Sequence, residues 1–355
     1  MKAILLSGGK GTRLRPLTYS GAKQLVPVAN KPIIFYCIEN IVQAGIKDVG
    51  IIISPETGEE IKETVGNGNS WGINIEYLKQ DVPGGLAHAI KVAQDFLSDS
   101  SFVMYLGDNL IGMRIDKFVK EFKSNTPDAL ILLKNVDNPG NFGVAEVTKA
   151  GKVIRLIEKP DKPKSNLALV GIYIFSSKIH GAIERIKPSK RGELEITDAI
   201  QELMKMRYKV ESFVLDEWWI DTGKKDDLLT ANAIVLDNWL KRDFNGRIDK
   251  TSKILGRVVI GKNSVIKKST IRGPVIIGEN TEINNSFIGP YTSIGNSVKI
   301  INSSIEHSVV MDESELRDIE RIEESLVGRR VKIRRNNIGH KALRLMLCDD
   351  SVVEV

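Results

Sequence analysis

The chain of 355 residues opens on an unalternating apolar run, Ala3-Ile4-Leu5-Leu6. Such a run predicts a strand covered on both faces, as in a parallel sheet. A second such run occupies 49–54, and 73–80, 102–107 and 129–136 read as further strands. Between them the apolar period becomes helical. Pro32 stands where a helix starts and Gly45 where it stops, and Ile34, Cys37, Ile38, Ile41 and Val42 form one apolar face. Thr57, with Glu60 three residues on, predicts a capping box for the next helix. Further helical stretches fall at 86–97 and 115–123. Strand alternating with helix predicts an α/β fold, a Rossmann-like, doubly wound and mostly parallel sheet whose ligands bind beyond the strand C-termini. The segment after Leu6, Gln80 and Asp108 all follow strands, so one sheet edge is expected to gather them.

From 142 to 215 the pattern turns strand-rich, with a helix at 196–206, and reads as an insertion completing the same domain. A last periodic helix covers 226–240. Beyond Phe244 the pattern shifts sharply. Ile-Gly pairs recur at 260–261, 277–278, 288–289 and 294–295. Aliphatic residues at 254, 260, 266, 271, 277, 283, 288, 294, 300, 305 and 310 keep a step of five or six. That is a hexapeptide repeat, with each aliphatic side chain pointing into a prism-shaped core. The period is expected to break at 312–324 and to return in a final coil at 326–333. The expected organisation is a first domain at 1–243, a β-helix at 244–337 and a tail at 338–355.

Composition adds little until charge is counted. Fifty-one Lys and Arg against 45 Asp and Glu leave a net charge of +6, and the basic residues are scattered among acidic ones. This fits a protein that handles anionic small molecules better than one that reads nucleic acid. Cys37 and Cys348 are isolated, and Cys37 on an apolar helix face predicts a buried free thiol. Neither a leader nor a long apolar span is visible, so a cytoplasmic protein without membrane contact is expected.

The loop after the first strand, Ser7-Gly8-Gly9-Lys10-Gly11-Thr12-Arg13-Leu14, carries the first candidate chemistry. Its glycines let the backbone approach a ligand closely, its successive N–H groups form an anion nest, and Arg13 adds a permanent charge. It reads as a loop that wraps a polyphosphate. The Gly-x4-Gly-Lys-Ser/Thr spacing of P-loop proteins is absent, and the third small residue of a dinucleotide fingerprint is replaced by Leu14.

Three strings then carry a specific resemblance. They are Gly8-Gly9-x-Gly11-Thr12-Arg13-Leu14-x-Pro16-Leu17-Thr18, Lys23-Gln24-Leu25-x-Pro27-Val28 and Lys31-Pro32. Together they resemble the signature of sugar-1-phosphate nucleotidylyltransferases, in the thymidylyltransferase branch with a C-terminal left-handed β-helix. The resemblance implies Mg²⁺-dependent transfer of dTMP from dTTP to glucose 1-phosphate, giving dTDP-glucose and pyrophosphate. It implies nucleotide contacts from Leu6, Gly8, Gly9, Gly11, Thr12, Arg13, Lys23, Gln80, Gly85 and Asp108. Asp108 and Asp221 match the metal carboxylates, Lys23 the lysine on the nucleotide phosphates, and Arg13 the arginine that neutralises developing charge. Glu158-Lys159-Pro160 matches the sugar-phosphate string, with Lys159 on the phosphate and Glu158 on sugar hydroxyls. Gly143, Val170, Tyr173 and Trp219 match further sugar-site positions, as does Glu193-x-Glu195-Ile196-Thr197-Asp198. Phe142 stands where the family more often has Tyr. Taken alone, Asp108 reads as a turn former or helix cap and Glu158-Lys159 as a charged turn.

Gln80 can donate and accept, which suits a pyrimidine edge, while His88 is expected to turn away from the ligand. A UTP-using enzyme acting on glucose or N-acetylglucosamine 1-phosphate is the alternative. A catalytically silent regulatory subunit would have lost phosphate and metal residues that are all present here. An acyltransferase in the repeats would need a base such as His307, which is expected to face solvent. The repeats are expected to form a homo-oligomerisation scaffold, whose deletion after about Asn245 lowers stability and leaves nucleotidyl transfer.

Overall fold

The computed structural model describes residues 1–9, 11–19, 21–148 and 151–335. The tail, with His340 and Cys348, lies outside them. The chain divides into two compact units. One comprises Met1–Lys10, Gly21–Leu25 and Ile33–Asp221, and the other Gly11–Ser20, Val26–Pro32 and Thr222 onward.

The first unit is a nine-stranded sheet with helices on its faces. Its strands are β1 (Lys2–Leu6), β2 (Asp48–Ile53), β3 (Asn74–Lys79), β4 (Phe102–Leu106), β6 (Ala129–Asn135), β7 (Gly143–Val147), β8 (Val153–Glu158), β9 (Leu167–Phe175) and β10 (Val210–Val214). A separate ladder pairs β5 (Asn109–Ile111) with β11 (Trp219–Asp221). The main path runs β8-β7-β9-β4-β1-β2-β3, with β6 between β9 and β10. Strands β3, β2, β1 and β4 are parallel, and β9 lies antiparallel to β4. The unalternating sequence runs follow from this placement. Ile4, Leu5, Ile51, Ile52, Val103 and Met104 are fully buried because both sheet faces are covered.

The chain adds β2 and β3 on one side of β1, then crosses to add β4 on the other. A topological switch therefore lies between β1 and β4, where α/β sheets open a crevice at the strand C-termini. The Gly107 N–H donates to the Leu6 carbonyl at 2.9 Å, Ser7 to Ile52 at 2.8 Å, and Gln80 to Ile53 at 2.9 Å. Within this unit the start of the Gly-rich segment at Ser7, Gln80 and the Gly107-Asp108 turn gather at one edge, as expected.

Helix α1 (Ile33–Gln43) buries Ile34, Cys37, Ile38 and Ile41, and Cys37 is a buried free thiol. Burial first, then the Asp108 charge, pushes that thiol far up, so it is packing rather than a nucleophile. Helix α2 (Gly58–Val65) departs from expectation, because Thr57 makes no side-chain cap. Thr57 Oγ1 instead meets Ser54 Oγ at 3.1 Å, and Glu60 accepts from the Ala22 N–H at 2.7 Å. Glu60 is spent on the segment that carries Lys23, and that tertiary use overrides the local cap.

The second unit carries the helix Lys225–Trp239 and three sheets of short parallel strands, six, six and five strands strong. This is the architecture expected of the left-handed β-helix. Ile260, Ile266, Ile271, Ile277, Ile283, Ile288, Ile294, Ile300, Ile305 and Val310 are all buried in its core. Corner residues such as Asn263, Asn280, Asn285 and Asn302 have positive φ, which Asn tolerates. Asn285 and Asn302 stack in a side-chain ladder at 2.9 Å. One expectation is corrected here, since the repeat does not break at 312–324. Strands Glu315–Arg317 and Ile322–Glu323 continue the sheets, and Leu316 is fully buried. The charges of that stretch lie on outward positions, and each rung needs only one inward aliphatic residue.

Candidate active site

At the C-terminal edge of the first unit, Lys23 is ion-paired with Asp108. Asp108 follows β4 directly and is 8% exposed. Burial alone would raise its carboxyl, but the Lys23 charge and the bonds from Lys23 and Asn109 hold it below the ordinary carboxylate range. The pair therefore contributes stability that is full at neutral pH and lost as pH falls through the lowered pKa. A Cβ on Gly9 would stand 3.3 Å from Lys23 Cε, so the glycine lets the lysine lie against the loop.

A chain of contacts runs from Asp108 into the second half of the sheet. Asn109 Nδ2 donates to Asp108 Oδ1 at 2.9 Å, and Trp219 Nε1 donates to Asn109 Oδ1 at 2.6 Å. Trp219 meets Phe142 edge-on, with ring centroids 5.1 Å apart. The Lys159 N–H donates to the Phe142 carbonyl at 3.0 Å, and Lys159 itself has a φ of 39°. Asp221 stands opposite Asn109 in the β5–β11 ladder, one residue from Asp108.

On the far side, Glu158 Oε2 accepts from Thr197 Oγ1 at 3.3 Å. A Cβ on Gly143 would come within 2.8 Å of the Leu169 and Thr197 methyls, so a larger residue there would have to displace both beside this carboxylate. Arg191, which the sequence reading passed over, stands 3.5 Å from Glu158, 3.5 Å from Glu195 and 3.0 Å from Glu193. Burial, then the Glu195 charge, raises the Glu158 carboxyl, while Lys159, Thr197 and Arg191 pull the other way. The ring closes through the backbone. Leu194 N–H donates to the Gly84 carbonyl at 2.7 Å, and Ala87 N–H to the Leu194 carbonyl at 3.1 Å. Gly85, at φ 98°, lies against Leu194, whose carbonyl would be 2.5 Å from a Cβ there. Gln80 Oε1 would stand 3.4 Å from a Cβ on Gly8, so this edge gathers residues from both halves of the sheet.

Not every expected residue offers an exposed side chain. Val170 is fully buried in the core and Tyr173 is 3% exposed. Strand β9 shifts register between Leu169 and Tyr173, so Val170 brings only backbone to an irregular stretch. Burial, then the Glu158 charge, drives the Tyr173 phenol far up, keeping it neutral beside that carboxylate. Gly11, Thr12 and Arg13 belong to the second unit. There Gly11 takes φ 61°, and a Cβ on Gly223 would stand 2.7 Å from Arg13 Nη2. The His88 ring lies against Gln80, with its Nδ1 2.9 Å from Gln80 Nε2. Ser7 Oγ and Gln24 Oε1 are buried without a hydrogen-bond partner among the described residues. The orphaned Gln24 amide oxygen, next in sequence to Lys23, is a buried acceptor left open, which sequence alone shows only as part of a string.

Among the described residues no three or more His, Cys, Asp or Glu side chains cluster to hold a metal. The donor set of Asp108 and Asp221 nevertheless suits magnesium. That ion takes hard oxygen ligands and is commonly bound by one or two carboxylates plus substrate phosphates and water.

Comparison with known proteins settles the family. The Nucleotidyl transferase family model matches residues 2–238. The chain belongs to the nucleotidyl transferase family. It is 47% identical to a glucose-1-phosphate thymidylyltransferase of Streptomyces antibioticus, over 100% of this chain and 99% of that protein. It is 44% identical to the Streptomyces griseus enzyme of the same name, with the same coverage. A Bacillus anthracis crystal structure assigned to glucose-1-phosphate thymidylyltransferase, in complex with sucrose, shares 38% identity. It superposes with a TM-score of 0.63 over 66% of this chain and 94% of that one. The full-length likeness bears out the resemblance read from the Gly-rich loop, the Lys23-Gln24-Leu25 string and the repeats. It also identifies the chain as an enzyme of the nucleotidyltransferase class. Among the described residues no helix is long and apolar enough to cross a membrane.

Proposed function

We propose that the protein joins dTTP to glucose 1-phosphate, giving dTDP-glucose and pyrophosphate. A phosphate oxygen of the sugar phosphate attacks the α-phosphorus in line as the bond to the β-phosphate oxygen breaks. The observation that carries this reading is the continuous series Lys23–Asp108–Asn109–Trp219–Phe142–Lys159, which spans from a phosphate loop to a sugar-phosphate string. Both reactants are anions, so catalysis rests on fixed positive charge and alignment. Lys23 and Arg13 bind the triphosphate, and Lys159 binds the sugar phosphate. Glu158 accepts from sugar hydroxyls, and Trp219 with Phe142 walls the sugar. Gln80 reads the base over Gly85, and the orphaned Gln24 carboxamide joins the nucleotide contacts. Asp108 and Asp221 would hold Mg²⁺, which supplies Lewis-acid stabilisation of charge on the phosphate oxygens. We assign the catalytic part to 1–243 and the β-helix to 244–337. Homo-oligomerisation through the β-helix and a cytoplasmic location complete the proposal.

Pyrophosphate release measured over a matrix of triphosphates and sugar 1-phosphates tests this reading. The highest kcat/KM is expected for dTTP with glucose 1-phosphate. A maximum at UTP with N-acetylglucosamine 1-phosphate replaces it with the uridylyltransferase alternative.

The acidic cluster gives a second expectation. Ionised Glu158 accepts from a sugar hydroxyl more strongly than the neutral acid, so use of sugar 1-phosphate falls as pH drops through its raised pKa. Arg191 lowers that pKa, so Arg191→Ala is expected to move the acid limb of kcat/KM for sugar 1-phosphate to higher pH. A limb that stays in place removes Arg191 from this role.

A further inference from the structure

We infer that His88 fixes which end of the Gln80 carboxamide meets the nucleobase, and thereby selects thymine and uracil against cytosine. The inference rests on the base-site reading of Gln80 given above. A carboxamide has a donor end and an acceptor end of nearly equal size, and its neighbours decide which way it faces. Here the Nε2 end is held twice, donating to the Gly85 carbonyl at 3.3 Å and standing 2.9 Å from His88 Nδ1. A carbonyl only accepts, so the amide NH₂ must lie on that side. His88 Nδ1 is then the accepting nitrogen, with the ring proton on Nε2.

Both amide hydrogens are thus committed. Oε1 is left on the opposite side, 3.4 Å from where a Cβ on Gly8 would stand, and nothing among the described residues donates to it. A base placed against Gln80 therefore meets a lone acceptor. Thymine and uracil present a ring N–H at N3 that satisfies it. Cytosine presents a lone pair at N3 and must shift bodily to bring its amino group to Oε1.

Of the two restraints, the Gly85 bond is long for an N–H···O contact and the His88 contact lies at the usual distance. The imidazole is itself seated, since a Cβ on Gly84 would come within 2.7 Å of its Cγ. His88 lies on α3 (Leu86–Val92), whose first turn is tied to Leu194 by the Ala87 N–H. His88 is therefore a positioning residue, acting on the base only through Gln80.

The test compares kcat/KM for dTTP and dCTP at saturating glucose 1-phosphate, in the full chain and in His88→Leu, His88→Asn and Gln80→Ala. His88→Leu is expected to move the dTTP-to-dCTP ratio at least tenfold toward dCTP, with the KM for sugar 1-phosphate unchanged. His88→Asn, whose Oδ1 replaces Nδ1 as acceptor, is expected to keep the ratio near that of the parent. Should His88→Leu fail to accumulate, Gly84→Ala, which pushes the ring off its seat, is read in the same way. A ratio within twofold of the parent in His88→Leu, with Gln80→Ala altering it, overturns the inference and leaves the base-site reading standing. No change in either variant removes Gln80 from the base and takes the underlying reading with it. Equal shifts in His88→Asn and His88→Leu also overturn the inference, since packing of the ring would then account for both.

Discussion

Replacing Asp108 by Asn is expected to cut turnover by about 10²–10⁴-fold, since loss of metal-assisted charge stabilisation is worth several kcal/mol at about 1.36 kcal/mol per decade. The carboxylate is nearly buried, is held ionised by Lys23 and Asn109, and stands one residue from the partner of Asp221 in the β5–β11 ladder. Asn keeps the shape and an acceptor for Lys23 but removes the charge. The melting temperature separates chemistry from folding, because Lys23 loses its counter-charge in the same variant. Steady-state pyrophosphate release at saturating Mg²⁺ checks the expectation. Near-normal turnover there, in a folded protein, takes Asp108 out of the reaction.

The second large effect lies far from any substrate. Asn232 is fully buried in the second unit. Its Oδ1 accepts from the Ala29 N–H at 2.9 Å and from Ser293 Oγ at 2.6 Å, and its Nδ2 donates to the Tyr291 carbonyl at 3.0 Å. Asn30 Nδ2 donates to the Ile294 carbonyl at 2.6 Å. The hairpin Val26–Pro32, which begins three residues after Lys23, is thus keyed to a coil of the β-helix and to the helix Lys225–Trp239. Asn232→Leu strands an amide, a carbonyl and a hydroxyl without partners. At about 1–3 kcal/mol for each of the three buried orphans, the expected loss is about 3–9 kcal/mol. Thermal unfolding should show it directly, together with reduced nucleotidyl transfer at the assay temperature. Deletion after about Asn245 removes Tyr291, Ser293 and Ile294 together. Activity is therefore expected to fall with stability, where the repeats read alone suggested that transfer survives. A truncated chain with full-length turnover would return the β-helix to a separate scaffold.

These two sites mark where sequence reading reaches its limit. Sequence by itself determined the inner strands β1, β2, β4 and β6, because burial on both faces leaves an unalternating apolar run at each of them. It determined the hexapeptide repeat, because a prism core accepts one aliphatic residue per rung and rejects other periods. It placed the Gly-rich segment, Gln80 and Asp108 together, because parallel strands deliver their C-termini to one edge. Only tertiary structure decided what those positions touch. Glu60 looked like half of a capping box and went to the Ala22 N–H. His88 looked like a helix residue turned from the ligand, and the side chain it meets is Gln80. Arg191 carried no signal and gathers three carboxylates. The stretch 312–324 looked like a broken repeat because its charges outnumber its aliphatic residues, yet Leu316 keeps the step. Backbone periodicity is a local property, written in every few residues. A polar side chain's partner is chosen by whatever the fold brings within hydrogen-bond reach, from tens or hundreds of residues away.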